Sequence, residues 1–397
     1  MRILTLIDCY VPGFKHGGPI RTIANLVAQM PPEFEFWILT SDRDRGDRAP
    51  YVGVPLDGWT QRGHANVYYS QHTARVSLLR TAVREARPDV VYANSLFSRT
   101  TTCALLARKL GLIPRIPFII APRGELAPSA LGLKKWKKAP YLAMGTRAGL
   151  WKDVLWQASS ALERSQIQAS LPGRGGHPDG AIAPAIAVAP DLAAEPLGPF
   201  VPPAVKTAGH ARFVFISRIT AMKNLPFAID RLASLSGDVE LDIFGPKDDA
   251  VSWTACERAI AALPANVRVR YKGLLAPEEV QPTFGQYDFA ILPSLGENFG
   301  HVISEALGAG CPVVLSDRTP WTTWMGAGAG WALPLESPEL WVAALQTCVD
   351  MAADEHSGMR VHAERAARKF VETNPIQASM EMFRRAVADR APSLDSP

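Results

Sequence analysis

Short apolar segments alternate with helix-length segments along this sequence, and no other feature limits its fold as strongly. In the first half the apolar segments are 2–8, 35–40, 66–70, 89–93, 117–121 and 154–158. A second series follows residue 210, at 212–217, 239–244, 267–272, 288–292 and 312–316. Strands that alternate with helices wind into parallel sheets. The sequence therefore predicts an α/β fold with two parallel sheets of one type.

The stretch between the two series predicts a domain boundary. Residues 189–210 are rich in Pro, Gly and Ala, a composition typical of extended linkers. A chain of 397 residues is also too long for one ordinary core. We expect an N-terminal domain at 1–205, a second domain at 206–375, and a C-terminal helix and tail at 376–397. The helix is indicated by apolar residues three or four positions apart, namely Ile376, Met380, Phe383 and Val387.

Composition excludes several classes of function. The formal net charge of +4 is close to balance for this length, so we expect no nucleic-acid partner. Five cysteines without a CxxC pair suit a reducing compartment. No apolar run approaches the ~20 residues that span a bilayer, and Asp8 interrupts the first apolar segment too early for a signal peptide. We expect a cytoplasmic protein, with contact to the inner face of a membrane as an open alternative.

Two glutamates with seven residues between them, Glu297 and Glu305, indicate a binding site. Glu297 follows the strand at 288–292, at the sheet edge where ligands of doubly wound folds bind. Helical spacing predicts that a helix starts between 298 and 300, which places Glu305 on that helix. The spacing is seen at Phe299, Val302, Ile303, Ala306 and Leu307.

A helix N-terminus between two carboxylates suits a diphosphate. Backbone N–H groups of Asn298, Phe299 and Gly300 offer donors, and the helix dipole favours an anion. Carboxylates accept hydrogen bonds from hydroxyl groups, so one at each end implies a ribose and a sugar. These features together describe a nucleotide-diphosphate sugar.

Three further segments strengthen this interpretation. Arg218 and Lys223 follow the first strand of the second series and would neutralise a diphosphate leaving group. The glycine pair Gly17 and Gly18 precedes a helix in the first domain and permits close approach of backbone to a ligand. The segment "APRGELAPS" brings Arg123 and Glu125 to the inner edge of the first domain.

The segments "SRITAMKN" and "PSLGENFGHVISEALGAGCPVV" resemble the carboxy-terminal domain of retaining glycosyltransferases of family 4. The segments "DVVYANS" and "WQASSALE" resemble the first domain of that family more loosely. The resemblance implies the GT-B architecture, in which two Rossmann-like domains face each other across a cleft. It also implies that the first domain holds the acceptor and the second domain holds the nucleotide sugar.

By this resemblance, Glu297 contacts the transferred sugar, and Glu305 the ribose. Arg218 and Lys223 would then contact the diphosphate. This chain departs from the family where Tyr92, Asn94 and Arg123 stand in place of histidines that many members carry. The residues expected on the acceptor or sugar side are Asn94, Arg123 and Glu125.

The predicted reaction is transfer of a sugar, with retention at the anomeric carbon, from a nucleotide-diphosphate sugar to a hydroxyl of a glycan or lipid-linked acceptor. This reaction suits the synthesis of surface polysaccharide or glycoconjugate, and we expect neither a cofactor nor a metal. Two alternatives stay open. One is a nucleotide-sugar isomerase (epimerase) on the same architecture, and the other is a non-catalytic subunit that binds a sugar nucleotide.

Three smaller features need interpretation. The Asp-x-Asp of Asp42 and Asp44 binds a metal in other glycosyltransferases, but here it alternates with arginines and we interpret it as a non-metal loop. His301 points away from the apolar helix face, which favours a solvated or supporting role. Trp136 is surrounded by four lysines that form either a solvated helix face or a patch for anionic lipid. These are Lys134, Lys135, Lys137 and Lys138.

Overall fold

The computed structural model describes residues 1–132, 135–171, 184–194, 205–326, 328–373 and 376–388. The chain forms two compact units. One contains residues 1–192 together with 375–397, and the other contains residues 193–374. Each is described separately below.

The first unit is built on an eight-stranded sheet with the order β3-β4-β2-β1-β5-β6-β7-β8. All neighbouring strands are parallel except β3 and β4, which form an antiparallel hairpin. The strands are β1 (Arg2–Leu6), β2 (Glu35–Thr40), β3 (Trp59–Arg62), β4 (Ala65–Tyr69), β5 (Val90–Asn94), β6 (Phe118–Ala121), β7 (Val154–Ala158) and β8 (Ala185–Val188). The helices of this unit are α1 (Gly18–Gln29), α2 (Val76–Ala86), α3 (Arg99–Lys109), α4 (Pro128–Gly132), α5 (Lys135–Arg147), α6 (Ala161–Ser170) and the last helix of the chain, α14 (Gln377–Ala388).

The second unit is built on a six-stranded, fully parallel sheet with the order β11-β10-β9-β12-β13-β14. Its strands are β9 (His210–Ile216), β10 (Asp238–Phe244), β11 (Val267–Gly273), β12 (Phe289–Leu292), β13 (Val313–Ser316) and β14 (Gly330–Leu333). Its helices are α7 (Leu225–Leu232), α8 (Ala250–Ala261), α9 (Val280–Gly285), α10 (His301–Gly308), α11 (Thr322–Met325), α12 (Pro338–Asp350) and α13 (Ala353–Thr373). Short 3₁₀ turns lie at Ala221–Lys223 and Pro277–Glu279.

All eleven predicted strands are present, and their ends agree to within two residues. The predicted α/β fold with two parallel sheets is therefore confirmed. The sequence prediction lacks three strands, β3, β8 and β14, and each of them is an edge strand of its sheet. Their residues are mostly half-buried rather than buried, because an edge strand packs against a neighbour on one side only. Each of these strands is also only four residues long.

Both sheets reverse their strand order next to their first strand. In the first unit β1 lies between β2 and β5, and in the second unit β9 lies between β10 and β12. Connections on the two sides of such a strand lead to helices on opposite faces of the sheet, which opens a crevice at the carboxyl ends of the strands. The loops after β9, β10 and β12 therefore meet at one edge of the second unit.

The C-terminal helix α14 packs on the first unit. The ring of Phe383, which is fully buried, contacts the rings of Phe34, Phe36 and Tyr92 at centroid distances of 6.3, 6.2 and 5.3 Å. The helix therefore completes the first core, although it follows the second unit in the chain. Residues 376–397 are thus part of the first unit, whereas the sequence predicts them as a segment separate from both domains.

The passage between the units also differs from the predicted position near residue 205. Leu192 belongs to the core of the first unit, and the next residue, Ala193, belongs to the core of the second. The step lies near the start of the stretch 189–210, whose composition predicted a linker, rather than near its end. The Pro-rich segment 195–204 lies outside the described residues, as does the tail from 389 onward.

We predict that Phe383→Ala destabilises the first unit by about 3 to 5 kcal/mol, because it leaves a cavity among three aromatic rings. Chemical denaturation measures the loss. The exposed Glu381 on the same helix supplies the control Glu381→Ala, which should unfold like the unaltered protein. Equal stability of the two variants would mean that α14 does not support the first core.

Candidate active site

An ion pair between Lys223 and Glu297 lies at the strand reversal of the second unit. Lys223 ends the 3₁₀ turn after β9, and Glu297 lies in the loop after β12. The Lys223 Nζ and Glu297 Oε1 atoms are 2.5 Å apart, and the side chains are 13% and 11% exposed. The fold thus joins two predicted catalytic residues that lie 74 positions apart in the sequence.

Arg218 lies in the same loop as Lys223, but it has a different partner. Its Nη1 atom is 3.5 Å from Oδ2 of Asp248, and both side chains are partly exposed. Asp248 lies in the loop after β10, so it too is at the carboxyl edge of the sheet. Sequence reasoning missed this carboxylate, although the acidic pair in "GPKDD" directly follows β10. An anion bound here would compete with Asp248 for the guanidinium.

The turn before α10 depends on a glycine. Gly300 is the N-cap residue and has a φ of +82°, so α10 begins at His301, one residue after the predicted range. A Cβ at position 300 would lie 2.8 Å from Cδ1 of Ile303. Any other residue would therefore be strained and crowded. The preceding loop is also fixed, because the Glu297 N–H donates to the Arg318 carbonyl at 3.1 Å.

The two glutamates are not surface carboxylates. Glu305 lies on α10 and is 6% exposed, and the Glu297 side chain is 11% exposed. Burial of a carboxylate is unfavourable unless it has a partner. Glu297 has Lys223, and Glu305 also takes part in an interaction. Asn298, in the turn between them, likewise has a contact.

His301 is buried, so of the two predicted roles, solvated or supporting, the solvated one is wrong. The side chain is 8% exposed, and its ring centroid lies 4.5 Å from that of Phe299. The helical spacing assigned His301 to the outer face of α10. However, Phe299 precedes the helix and folds back against the first turn, which covers that face.

In the first unit, the predicted glycine pair begins helix α1. Gly17 is the N-cap residue with a φ of +72°, and Gly18 is the first helical residue. The loop before them is held by Asp44, which accepts backbone N–H groups of Phe14, Lys15 and Arg45 at 2.6 to 2.8 Å. The Asp44 carboxylate therefore holds the backbone of this loop, and the absence of a metal at Asp42 and Asp44 stays a prediction.

Arg123 is the centre of a buried network in the first unit. Its guanidinium is 6% exposed and forms an ion pair with the equally buried Asp191. It also donates to Asn94 Oδ1 at 2.8 and 3.1 Å and to the hydroxyl of Tyr92. Burial raises the pKa of Tyr92 to about 12, so this hydroxyl keeps its proton at neutral pH. It donates that proton to Gln157 at 2.5 Å.

The residues that replace the family's histidines therefore contact one another. Tyr92, Asn94 and Arg123 join β5 and β6 to Asp191, which follows β8. Glu125 is separate from them and accepts the N–H groups of Leu96 and Phe97 and the hydroxyl of Ser95. Burial raises the pKa of Glu125. This geometry favours a structural role for Arg123, and its contact with a sugar stays a prediction.

We predict that Arg123→Met lowers the free energy of unfolding by about 3 to 5 kcal/mol, because it removes the buried guanidinium that pairs with the buried Asp191. Asp191→Asn in the same background should recover part of the loss. The exposed Arg115 gives the matched control Arg115→Met. If chemical denaturation finds both single variants equally stable, the network does not hold the unit together.

Two family models match segments of this chain. Residues 17–174 match a family model described as "Glycosyl transferase 4-like domain". Residues 210–351 match a second model, described as "Glycosyl transferases group 1". The first match lies within the first unit and the second within the second unit. Both domains are therefore of the glycosyltransferase type.

Superposition on solved structures identifies the fold of the chain. Sucrose-phosphate synthase from Thermosynechococcus elongatus superposes with a TM-score of 0.73 at 12% identity, covering 98% of this chain and all of that one. HepE from Anabaena, solved with UDP and glucose, superposes with a TM-score of 0.65 at 17% identity, covering 96% of this chain and 99% of that one. At such identities the likeness shows the fold alone, which is that of GT-B glycosyltransferases.

A relative by sequence is D-inositol 3-phosphate glycosyltransferase from Kineococcus radiotolerans. The two are 34% identical over 134 residues, which is 31% of this chain and 30% of that protein. The matching segment thus spans less than a third of the relative's length.

Proposed function

We propose that this protein transfers a sugar from a nucleotide-diphosphate sugar to a hydroxyl of a glycan or lipid-linked acceptor, with retention at the anomeric carbon. The observation that carries the proposal is the ion pair of Lys223 and Glu297 at the strand reversal of the second domain. It places a cation and a carboxylate beside a helix N-terminus, in a domain that matches a glycosyltransferase family.

The proposed roles follow from charge. Breaking the bond between the sugar and the diphosphate makes the sugar cation-like and leaves negative charge on the phosphate. Lys223 and Arg218 would take up that negative charge, helped by the N-terminus of α10. Glu297 would lie near the developing positive charge, and Glu305 would hold the ribose. These groups supply charge stabilisation, which is why we expect no metal.

The comparisons guide the choice of substrates. HepE was solved with UDP and glucose, and the sequence relative acts on D-inositol 3-phosphate. We therefore propose uridine nucleotides with hexoses as the first donors to test. Phosphorylated polyols and lipid-linked glycans are the first acceptors, in keeping with synthesis of surface polysaccharide or glycoconjugate.

Two other functions stay open. An epimerase on this fold would convert the donor sugar without any acceptor, so nuclear magnetic resonance of the donor after incubation alone separates it from a transferase. A non-catalytic subunit would bind the donor tightly but would show no turnover with any acceptor. Nuclear magnetic resonance of the transfer product also determines its anomeric configuration. An inverted configuration would exclude retention.

The two glutamates should differ when tested. We predict that Glu297→Gln lowers kcat strongly but leaves affinity for the nucleoside diphosphate nearly unchanged, because the product lacks the sugar. Glu305→Ala should instead weaken the binding of the nucleoside diphosphate by about 1.5 to 3 kcal/mol, the range for a hydrogen bond to a charged group.

Calorimetry with the nucleoside diphosphate, run beside kcat for each variant, checks these expectations. Equal loss of product affinity in both variants would mean that the roles are wrongly assigned. The same assays with a chelator present test whether turnover requires a metal ion. Loss of turnover that magnesium or manganese restores would show that a metal takes part.

We further propose that helix α5 contacts an anionic membrane. Trp136 is 74% exposed and Met144 is 62% exposed, and both lie on this helix. Lys135 and Lys137 flank the tryptophan and are exposed. An amphipathic aromatic ring beside lysines suits the interface of a membrane with anionic lipid. None of the described helices is long and apolar enough to cross a bilayer.

The lysine patch is smaller than the sequence predicted. Lys138 turns inward, where its Nζ donates to the Ala130 carbonyl at 2.8 Å and lies 4.9 Å from the centre of the Phe97 ring. Lys134 lies outside the described residues. The surface proposed to meet the membrane is therefore formed by Lys135, Trp136, Lys137 and Met144.

We predict that the triple change Lys135→Ser, Trp136→Ala and Lys137→Ser lowers binding to vesicles with anionic lipid more than about tenfold, since each lysine adds about 1 kcal/mol at such a surface. Vesicle co-sedimentation measures it. A control with the same change of charge and one exposed apolar residue is Lys109→Ser, Leu110→Ala and Lys152→Ser. Equal binding by the two triple variants would mean that the α5 residues are merely solvated.

A further inference from the structure

We infer that Trp321 is a positioning residue that orients a backbone N–H group toward the donor's diphosphate; this inference rests on the proposed function. Trp321 precedes α11 and is fully buried. Its indole N–H donates to the Phe299 carbonyl at 2.7 Å. Phe299 lies in the turn between the two glutamates, so this bond reaches the donor site from the core side.

The hydrogen bond from Trp321 to the Phe299 carbonyl also sets the orientation of the Gly300 N–H group. A peptide group is planar and trans, so its carbonyl oxygen and its N–H point in opposite directions. The Phe299 carbonyl points at Trp321, and the Gly300 N–H of the same peptide therefore points away from the core. Within the described residues the structure records no acceptor for this N–H. It lies at the N-terminus of α10, where the helix dipole favours an anion.

Trp321 is itself held in place by aromatic packing. Its ring lies 4.2 Å from the Phe370 ring of α13 at an interplanar angle of 31°, and 5.9 Å from the Phe299 ring. The Trp321 backbone N–H donates to Thr319 Oγ1 at 3.2 Å. The indole therefore cannot swing away without loss of core contacts. A rotation of the Phe299 peptide would break the bond to Trp321, so the Gly300 N–H stays pointed away from Trp321.

The sequence offers a matched control for Trp321. Trp324 lies three residues later and packs on the same Phe370 ring, at 5.4 Å and 70°. Within the described residues its indole N–H has no recorded hydrogen bond to any acceptor. Trp324→Phe therefore perturbs the same aromatic cluster but changes no bond to the donor loop.

The test compares Trp321→Phe with Trp324→Phe by calorimetry, first with UDP, ADP and GDP and then with the nucleoside of whichever base binds. We expect Trp321→Phe to raise the Kd of the nucleoside diphosphate about tenfold, the scale of one hydrogen bond to a charged group. The Kd of the nucleoside should be unchanged. Trp324→Phe should change neither Kd.

A purely structural role for Trp321 would predict a different pattern. It would change the affinities for the nucleoside and the diphosphate together, or would change them equally in both variants, and either result overturns the inference. If Trp321→Phe does not fold, benzothienylalanine at position 321 keeps the ring and replaces the N–H by sulfur. The same tenfold, diphosphate-specific loss is expected there, and its absence overturns the inference. Failure of the unaltered protein to bind any of the three nucleotides would instead overturn the proposed function and this inference with it.

Discussion

The parallel arrangement of β9, β10 and β12 is the constraint on which the candidate site depends. In a parallel sheet every strand ends at the same edge, so the loops that follow neighbouring strands meet there. The order of the second sheet places β9 between the other two strands. Lys223 follows β9, Asp248 follows β10 and Glu297 follows β12. Their proximity is a property of the topology, and a single change of strand order would separate them.

The charges at this edge are better explained by function than by stability. The Lys223 and Glu297 side chains are each less than 15% exposed. Removing two charges from water costs about as much as their attraction returns, so a buried pair adds little net stability. A well-packed apolar pair would serve the fold at least as well. The ion pair is useful if each charge has a second partner, and a sugar diphosphate supplies an anion for Lys223 and a cation-like carbon for Glu297.

The local parts of this structure could be predicted from the sequence, and the parts made by distant contacts could not. Apolar segments located the inner strands, and the helical spacing located α10 to within a residue of its start. Three of the four edge strands escaped notice because they are short and mostly half-buried, whereas the longer edge strand β11 was predicted. The docking of α14 escaped because Phe383 meets Phe34 and Tyr92 only after the chain has passed through the second unit. No local pattern signals such a contact.

The candidate site divides in the same way. Glu297, Glu305 and Lys223 could be proposed from the sequence because they lie in short motifs that follow strands β9 and β12. The partners that decide what each side chain does lie elsewhere in the chain. Asp191 is 68 residues from Arg123, and Trp321 is 22 residues from Phe299. Motifs therefore indicated the chemistry, whereas the supporting hydrogen bonds required the structure.

The starts of the helices extend this argument to both units. Helices α3, α6 and α8 have Ser98, Ser160 and Asp249 at their N-caps, and each side chain accepts a backbone N–H of the first turn. A side-chain cap of this kind stabilises a helix by about 1 kcal/mol.

Several other helices lack such a cap, and two of these, α1 and α10, have a glycine at the N-cap position. Helix α1 begins after Gly17 and α10 begins after Gly300, and both glycines have a positive φ and no side chain to accept the first N–H groups. Without a side-chain cap, backbone N–H groups are available at the starts of α1 and α10. These are the two helix starts predicted from the sequence to bind the nucleotide sugar. A phosphate oxygen could take the place of the missing side chain at α10, which would make ligand binding restore the stability that the glycine forgoes.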